Sequence, residues 1–406
     1  MSGITCCSLR TVSMKQVFTL APTPLLHFGD GKISLLPDTV KSFGTRFLLV
    51  TGASSFVSSI HFERLKDQFV SRKLSFQHVY VNGEPTPGLV DVSVREFEAF
   101  EPEVVVAIGG GSALDAGKAI SAMMPLNESV KNYLEGIGSK THPGIKLPFI
   151  AVPTTAGTGS EAARNAVLSE TGPNGYKKSL RHNKLVPDVA IVDPALTLSC
   201  SPSTTAASGM DAFTQLLESY LSPGGNAVTD VLAFEGLSHI RSSLLPAFRD
   251  GSNLNARIGM SLSAYLSGLA LTNAGLGLIH GFASSIGGFF PIPHGIICSA
   301  LMYPVNKLTV QKLRSENSGE GLKKYAAVGR MFSGSRPYKS DHYETDGLLE
   351  TIRAWTAELK IPTISDLGVK AADFDRIIAI SENKNNPIPL SAEEMREALA
   401  IASKKF

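Results

Sequence analysis

The chain has 406 residues, enough for two or three domains at about 150 residues each. Charged residues make up only 18%, below the roughly 25% of an average soluble domain, which predicts that some surface is buried in an oligomer or a large core. The formal net charge is +2 and there is no Lys/Arg-rich run, so nothing favours a nucleic-acid partner. The 37 glycines and 23 prolines follow no period, which excludes collagen-like, coiled-coil and disordered compositions.

The N-terminal residues and the cysteines bear on location. Residues 1–15 lack the apolar core of a signal peptide, and we interpret them as a tail; a transit peptide, or a true start at Met14, are the alternatives. No stretch approaches about 18 uninterrupted apolar residues, so no membrane span is predicted. Cys6, Cys7, Cys200 and Cys298 show no metal-binding spacing, which predicts reduced thiols in a cytoplasmic protein.

Strands and helices alternate in the first half of the chain. Short apolar runs that end in glycine or proline predict strands at 47–52, 78–83, 104–111, 147–155 and 189–194. Helical patterns lie between them, at 57–72 and 113–124. Continuous apolar strands that alternate with helices indicate a parallel sheet covered on both faces. We therefore predict an α/β domain over residues 16–200.

From about residue 200 the pattern becomes helical, and no convincing strand follows. Ser391 and Glu394 form a capping-box sequence at the start of the last helix. We predict an all-helical domain over residues 201–406, with a ligand cleft between the two domains. The predicted helices span 203–221, 228–247, 254–272, 296–308, 345–358, 371–382 and 391–403.

Two glycine-rich turns each follow a predicted buried strand. The first is Gly109-Gly110-Gly111-Ser112, which opens a helix, and the second is the segment 153–161, PTTAGTGSE. Glycines allow a phosphate close to the backbone, and the free N–H groups of a helix N-terminus favour an anion. Ser112 would either cap its helix or donate to phosphate. Together the turns predict a dinucleotide clamp; the alternative is that each is only a tight turn.

Three side chains in the second half have the composition of a catalytic metal site. His280 lies in a helix of small apolar residues, and His294 begins the next helix fourteen residues later. Asp211 opens an apolar helix, with Gln215 one turn on along the same face. One aspartate and two histidines would bind a divalent ion and leave a position open. The alternatives are a core histidine and a helix N-cap aspartate.

These motifs together resemble the iron-containing (group III) alcohol dehydrogenase family. The resemblance runs from about Phe18 to the C-terminus and is carried by GGGSALDAGKAI, PTTAGTGSE, KLVPDVAIVDPALTLS, GMDAFTQLLESYLS, NAGLGLIHGFASSIGGFF and IPHG, in family order. It implies a Rossmann-like N-terminal domain, a helical C-terminal domain and a metal in the cleft between them. It also implies an NAD(P)-dependent oxidoreductase for small alcohols and carbonyl compounds, assembled as a homodimer.

The resemblance also assigns roles to individual residues. Gly110, Gly111 and Ser112 would contact the pyrophosphate, with Asp115 supporting the turn. The remaining cofactor positions are Thr154, Thr155 and Thr158 beside the phosphates and nicotinamide ribose, Lys177 near the cofactor, and Leu196 and Leu198 on the adenine side. Asp211, His280 and His294 match three of the four metal ligands.

The chain departs from the family pattern at two site positions. Gln215 stands where the family commonly has its second histidine ligand, and Ser284 where it commonly has a non-ligand active-site histidine. A glutamine oxygen is a harder and weaker donor than imidazole, so Zn²⁺ on Asp/His/His becomes an alternative to Fe²⁺. Without a histidine at 284, proton delivery falls to a water chain, a ribose hydroxyl or His182.

A third departure concerns the cofactor. A carboxylate at the end of the second strand would bind the ribose 2′-OH of NAD and repel a 2′-phosphate. This chain has Gly52 there, followed by Ser54 and its hydroxyl. We therefore predict that NADP(H) is preferred over NAD(H).

The predicted reaction is hydride transfer between the nicotinamide and an alcohol, aldehyde or ketone carbon, with a divalent metal polarising the substrate oxygen. Arg164 would pair an acidic substrate, or else make a surface ion pair. Three alternatives stay open: a metal-independent reductase resembling maleylacetate reductase, a lyase similar to dehydroquinate synthase, and a cofactor-binding protein without turnover.

Overall fold

The structure is a computed structural model that describes residues 17–334, 339–383 and 385–405. The predicted tail at 1–15, with Cys6, Cys7 and Met14, lies outside the described residues. The chain forms an N-terminal α/β half and a C-terminal half of packed helices, which confirms the predicted fold class.

A six-stranded parallel sheet forms the core of the first half, in the order β1-β8-β5-β4-β2-β3. Its strands are β1 Leu25–Phe28, β2 Arg46–Gly52, β3 Ser75–Val81, β4 Val104–Gly109, β5 Phe149–Pro153 and β8 Val189–Val192. The apolar runs predicted five of these six strands, all except β1. The order along the sheet reverses between β2 and β4, and in open α/β sheets ligands bind outside the carboxyl ends of the strands at such a switch point.

The central strands are apolar throughout because both faces of the sheet are covered. In β4, Val105 and Ala107 point to one core cluster, whereas Val104, Val106 and Ile108 point to the other. Successive side chains of a strand alternate between faces, so a strand between two helical layers needs apolar residues at every position. The covering helices are α1 Leu36–Phe43, α2 Ile60–Ser71, α3 Pro87–Phe97 and α4 Gly111–Met123.

One feature of the first half was not predicted. Asn165–Glu170 (β6) and Tyr176–Arg181 (β7) form a separate antiparallel hairpin. Neither strand has a continuous apolar run, and β7 carries Lys177, Lys178 and Arg181, so hydropathy gave no signal.

Nine helices, α5–α13, make up the second half within the described residues. Their bounds are α5 Pro202–Leu221, α6 Ala227–Arg249, α7 Leu254–Ala274, α8 Leu278–Phe289, α9 His294–Ser315, α10 Gly319–Ser333, α11 Asp341–Glu358, α12 Phe374–Ile380 and α13 Ala392–Ala402. The predicted capping box is present, since Ser391 and Glu394 each accept a hydrogen bond from the other's backbone N–H. The single helix predicted at 371–382 is wrong: a 3-10 turn, Ala371–Asp373, precedes the shorter α12.

Among the described residues, no single helix has both the length and the apolar composition of a membrane span. Helices α7 and α8 meet those criteria only as a pair, and the chain bends by 99° between them.

The two halves meet where α7 packs against the second glycine-rich turn. A Cβ on Gly268 of α7 would collide with the backbone carbonyl of Gly159, and Gly159 itself has a φ of +62°. The halves therefore approach backbone to backbone, which only glycine allows at these positions.

We expect Gly268→Ala to lower the free energy of unfolding by about 1–3 kcal/mol, because overpacking at rigid backbone costs that much. The measurement is urea-induced unfolding followed by circular dichroism. Gly319→Ala is the matched control, since a Cβ at Gly319 meets no atom within 4 Å. Equal midpoints for the two variants would contradict close packing of α7 on the turn.

Candidate active site

The two glycine-rich turns lie side by side at the carboxyl edge of the sheet. Gly109, at the end of β4, is in register with Pro153, at the end of β5, and its carbonyl accepts a hydrogen bond from Thr154 N at 2.9 Å. A Cβ on Gly111 would lie 2.6 Å from Cγ2 of Thr158. The first turn therefore has no room for a side chain at Gly111.

The first turn also starts helix α4. The helix begins at Gly111, and the N-cap residue Gly110 offers no side-chain hydrogen bond. The prediction that Ser112 caps the helix is therefore wrong: Ser112 is the second helical residue, past the N-cap position. The uncapped N–H groups at this terminus suit an anion such as a pyrophosphate.

A buried lysine fixes the second turn to helix α4. Lys118 Nζ donates to the backbone carbonyls of Ser160 (2.7 Å), Ala163 (2.8 Å) and Asn165 (2.8 Å). Burial lowers the pKa of Lys118 to about 8, although nearby carboxylates oppose the shift. The lysine thus replaces several backbone hydrogen bonds that a loop in this position cannot make itself.

Asp115, predicted to support the first turn, contacts the second. Its carboxylate accepts hydrogen bonds from Ser160 Oγ at 2.5 Å and from the backbone N–H of Val167 at 3.1 Å. Burial raises the pKa of Asp115 despite the opposing charge of Lys118. Together Asp115 and Lys118 hold the turn residues in one arrangement before any ligand binds.

The predicted adenine-side residues differ in exposure. Gly52, at the end of β2, adjoins Gly109, and a Cβ there would meet no atom within 4 Å. Ser54 is exposed just beyond it. Leu198 is 37% exposed, whereas Leu196 is only 5% exposed and packs in the core beneath the sheet. Leu198 therefore has the accessible surface for contact with a ligand.

The predicted metal ligands converge in the helical half. Asp211 lies in the middle of α5, so the interpretation that it opens or caps a helix is wrong. His280 lies in the first turn of α8, and His294 is the first residue of α9. Gly295 lets α9 approach α5, because a Cβ there would collide with the carbonyl of Ala207. Two helix N-termini thus meet one buried carboxylate.

Four potential ligand atoms form one cluster there, from Asp211, His280, His294 and Cys298, and all lie within 4.8 Å of one another. Asp211 Oδ1 is 3.5 Å from His280 Nε2 and 3.8 Å from His294 Nε2. The side chain of Asp211 is only 2% exposed whereas that of His294 is 21% exposed, so the cluster opens to the outside on the His294 side.

The cluster contains buried polar atoms without partners. Asp211 Oδ1 and His294 Nδ1 have no hydrogen-bond partner among the described residues. A buried carboxylate costs free energy unless it is paired or bound to a metal. Hard oxygen and imidazole nitrogen donors at these separations fit a divalent cation.

Glu218 fixes the orientation of His280. It lies on the same helix as Asp211, two turns further on, and its Oε2 is 2.6 Å from Nδ1 of His280. Its Oε1 accepts the backbone N–H of Ile279 at 2.7 Å. A carboxylate on one imidazole nitrogen leaves the other free as a ligand, which is the usual arrangement around metal-bound histidines.

The surroundings shift the pKa values of the two histidines in opposite directions. Burial lowers the pKa of His294 to about 4, since the attraction of Asp211 is too weak to offset it. Burial also acts on His280, but Cys298, Glu218 and Asp211 outweigh it and raise the pKa of His280. His280 is therefore the histidine whose charged form the surrounding carboxylates favour.

The two departures from the family pattern lie next to this cluster. Gln215 is one turn beyond Asp211, and its Oε1 accepts a hydrogen bond from Ser267 Oγ at 2.7 Å. Ser284 is one turn beyond His280 on α8 and is half-buried. The oxygen with which Gln215 was predicted to bind the metal thus already accepts a hydrogen bond.

Lys177 connects the metal cluster with the nucleotide side. It projects from β7 next to Gly287 of α8, and its positive charge contributes to the lowered pKa of His294. Its Nζ makes an ion pair of 2.8 Å with Glu84, which follows β3. An ion pair, buried at Lys177 but partly exposed at Glu84, therefore lies between the sheet edge and His294.

Arg164 and His182 lie at the other end of the hairpin. Asn165 is in register with Arg181, and Ser169 with Lys177. The Arg181 end of the hairpin is therefore four residues from Lys177, or about 13 Å along the strand at 3.3 Å per residue. Arg164 donates to the side chain of Asn183, and His182 Nδ1 accepts from Lys184 N. Both residues have structural partners away from Lys177.

Comparison with known proteins identifies the family. A model of the iron-containing alcohol dehydrogenases matches residues 23–194, and a model of the C-terminal region of the Fe-containing alcohol dehydrogenase family matches residues 205–403. The chain belongs to the iron-containing alcohol dehydrogenase family. It is an oxidoreductase that uses a nicotinamide cofactor and a divalent metal, as the resemblance implied.

Relatives of this chain match over almost their full length. It is 33% identical to long-chain-alcohol dehydrogenase 1 of Geobacillus thermodenitrificans, covering 92% of this chain and 93% of that enzyme. It is 29% identical to alcohol dehydrogenase 4 of Saccharomyces cerevisiae, covering 94% and 97%. A crystal structure of a 1,3-propanediol oxidoreductase superposes with a TM-score of 0.86 at 28% identity, covering 95% and 100%.

Three residues near the site were not predicted from the sequence: Cys298, Glu218 and Lys118. Cys298 could have been found, because it lies four residues after His294 and therefore on the same face of α9. Glu218 lies seven residues, or two turns, after Asp211 and therefore on the same face of α5. The partners of Lys118 are 42–47 residues away in the sequence, and no local pattern predicts them.

We expect Glu218→Gln to weaken metal binding by about 10–100-fold, the usual effect of losing a carboxylate behind a histidine ligand. Competition between the protein and a chromophoric chelator for Zn²⁺ measures the affinity. Glu235→Gln is the control, because it removes a carboxylate from an exposed histidine pair, Glu235–His239, on α6. Equal affinities for Glu218→Gln and the unmodified protein would show that Glu218 only supports the fold.

Proposed function

We propose that this oxidoreductase transfers hydride between C4 of a bound nicotinamide and the carbon of a small alcohol, aldehyde or ketone, in the cleft between the glycine-rich turns and the metal cluster. The observation that carries the proposal is the buried cluster Asp211, His280 and His294 on the helical side of that cleft. Lys177, whose charge acts on His294, extends from the hairpin next to the turns and supports this placement.

The glycine-rich turns would bind the dinucleotide. Gly110, Gly111 and Ser112 present the N-terminus of α4 to the pyrophosphate, and Thr154, Thr155 and Thr158 supply hydroxyls and backbone on the opposite side. Asp115 and Lys118 hold this geometry in advance, so that little conformational entropy is lost on binding.

Cofactor choice would depend on the end of β2. The open space at Gly52 and the exposed hydroxyl of Ser54 leave room and a donor for a 2′-phosphate, with no carboxylate at that position to repel it. We therefore propose that NADP(H) is preferred over NAD(H).

Asp211, His280 and His294 would hold the divalent ion, with Gln215 as a further oxygen donor. When bound, such an ion, Zn²⁺ or Fe²⁺, supplies Lewis-acid polarisation of a substrate oxygen. The protein's residues orient the ligands, bury Asp211 and His280 away from water and admit substrate from the His294 side. The orphaned oxygen of Asp211 favours a metal site over the metal-independent alternative.

The acidic-substrate hypothesis loses its support, because Arg164 is paired to Asn183 at the far end of the hairpin from Lys177. Proton delivery by His182 loses support for the same reason. We propose a neutral small alcohol or carbonyl compound as substrate, a homodimer as the assembly, and the cytoplasm as the location.

The decisive test of metal dependence uses Asp211→Asn. We expect chelation to abolish NADPH-dependent aldehyde reduction by the unmodified protein, and Zn²⁺ or Fe²⁺ to restore it. Asp211→Asn should bind less metal and turn over about 100-fold more slowly or worse, since loss of Lewis-acid stabilisation costs several kcal/mol. Metal analysis and initial rates measure both. Full turnover by the metal-free protein would instead establish the metal-independent reductase.

Cofactor preference is tested at Gly52. We expect a higher kcat/KM with NADPH than with NADH, and Gly52→Asp should reduce that ratio about 10-fold or more, because juxtaposed like charges cost several kcal/mol. Gly52→Ala, which adds a side chain without charge, is the control. Initial rates over a concentration series of each cofactor decide the question, and a clear advantage for NADH in the unmodified protein would overturn the proposal.

A further inference from the structure

Cys298 is the one member of the metal cluster that the chemistry above leaves unused. It lies one helical turn after His294 on α9 and is fully buried. Its Sγ is 3.6 Å from Nε2 of His294 and 3.8 Å from Nε2 of His280. The thiol therefore faces the same two imidazole nitrogens that face Asp211.

These separations match the edges of a tetrahedral coordination shell. Zn–S bonds of about 2.3 Å and Zn–N bonds of about 2.0–2.1 Å at a tetrahedral angle place sulfur and nitrogen about 3.6 Å apart. The corresponding nitrogen–oxygen separation is about 3.4 Å, and Asp211 Oδ1 lies 3.5 and 3.8 Å from the two nitrogens. Four of the six separations are thus close to the spacing of one ion's ligands, and all six lie within 4.8 Å.

The alternative oxygen donor is less available than the sulfur. Gln215 Oε1 already accepts the hydroxyl of Ser267 at 2.7 Å, and an amide oxygen is neutral. A thiolate brings a second negative charge beside that of Asp211, so the two anionic ligands would balance a divalent cation in this buried place. Thiolate ligands also select Zn²⁺ over harder cations.

We infer that Cys298 Sγ is the fourth ligand of the ion held by Asp211, His280 and His294. The resulting donor set of one oxygen, two nitrogens and one sulfur makes the cluster a zinc site. The inference rests on the metal site proposed above. A substrate oxygen would reach the site from the His294 side, where the cluster opens. Gln215 then has a structural role, as an acceptor for the Ser267 hydroxyl.

The competing explanation is that Cys298 only fills the core. Cysteine is among the residue types most often buried, and it behaves there as a small hydrophobic residue. That explanation predicts that replacing the sulfur leaves the properties of a bound ion unchanged, whereas a ligand role predicts a change in the ion's own spectrum.

The experiment loads the full-length protein with Co²⁺ and records its absorption spectrum. We expect a near-ultraviolet thiolate-to-cobalt charge-transfer band in the unmodified protein, at one Co²⁺ per chain. Cys298→Ser should lose the band and bind Co²⁺ more than about 100-fold more weakly, since loss of a partner behind a ligand already costs 10–100-fold. Cys200→Ser is the matched control and should keep both, because Cys200 donates to the carbonyl of Thr154 and is not in the cluster.

The outcomes separate this inference from the proposed metal site. Stoichiometric Co²⁺ binding without the charge-transfer band in the unmodified protein would overturn the role of Cys298 and leave the Asp211, His280 and His294 site standing. Absence of Co²⁺ binding would overturn both. Cys298→Ala provides a second variant without the sulfur if Cys298→Ser folds poorly. A charge-transfer band that persists in a folded Cys298 variant would assign the thiolate to another cysteine and overturn the role of Cys298.

Discussion

The organisation of the helical half depends on one buried carboxylate. Asp211 is 2% exposed in the middle of α5, and one of its oxygens lacks a hydrogen-bond partner among the described residues. Burial without compensation is unfavourable, so the surrounding helices must bring a positive charge to it. The N-terminus of α8 does so with His280, whose pKa is raised, and the N-terminus of α9 adds the imidazole of His294. Glu218 orients His280, and Gly295 allows α9 to approach α5 closely.

On the nucleotide side, side-chain hydrogen bonds hold in place a loop that has no regular secondary structure. The loop between β5 and β6 runs along α4 from Gly111 to Lys118 without forming a strand or a helix of its own. Lys118 and Asp115 compensate with side-chain hydrogen bonds to its carbonyls and N–H groups. Because Gly111 and Gly268 each lack a side chain, the same loop contacts α4 on one side and α7 on the other. The two halves of the active site are thereby positioned by one segment.

Much of the fold followed from local pattern, and the exceptions have physical reasons. The strands β2, β4, β5 and β8 are apolar at nearly every position because two layers cover them. The hairpin β6–β7 lacks that signal, since its strands are partly exposed and charged. Asp211 was misplaced at a helix start because a buried mid-helix carboxylate contradicts propensity and is tolerated only through contacts that are distant in the sequence.

The sequence by itself determined the family, the parallel sheet, the two glycine-rich turns and the convergence of Asp211, His280 and His294, because each depends on residues within a few turns or on motifs in fixed order. The tertiary structure alone decided which side chains surround those residues. Helix α9 turns Cys298 toward the ligands, α5 places Glu218 behind His280, and the hairpin register carries Arg164 and His182 away from Lys177. Spacing along one helix can place Cys298 and Glu218 on the same face as a ligand, but what that face contacts depends on how whole helix surfaces pack.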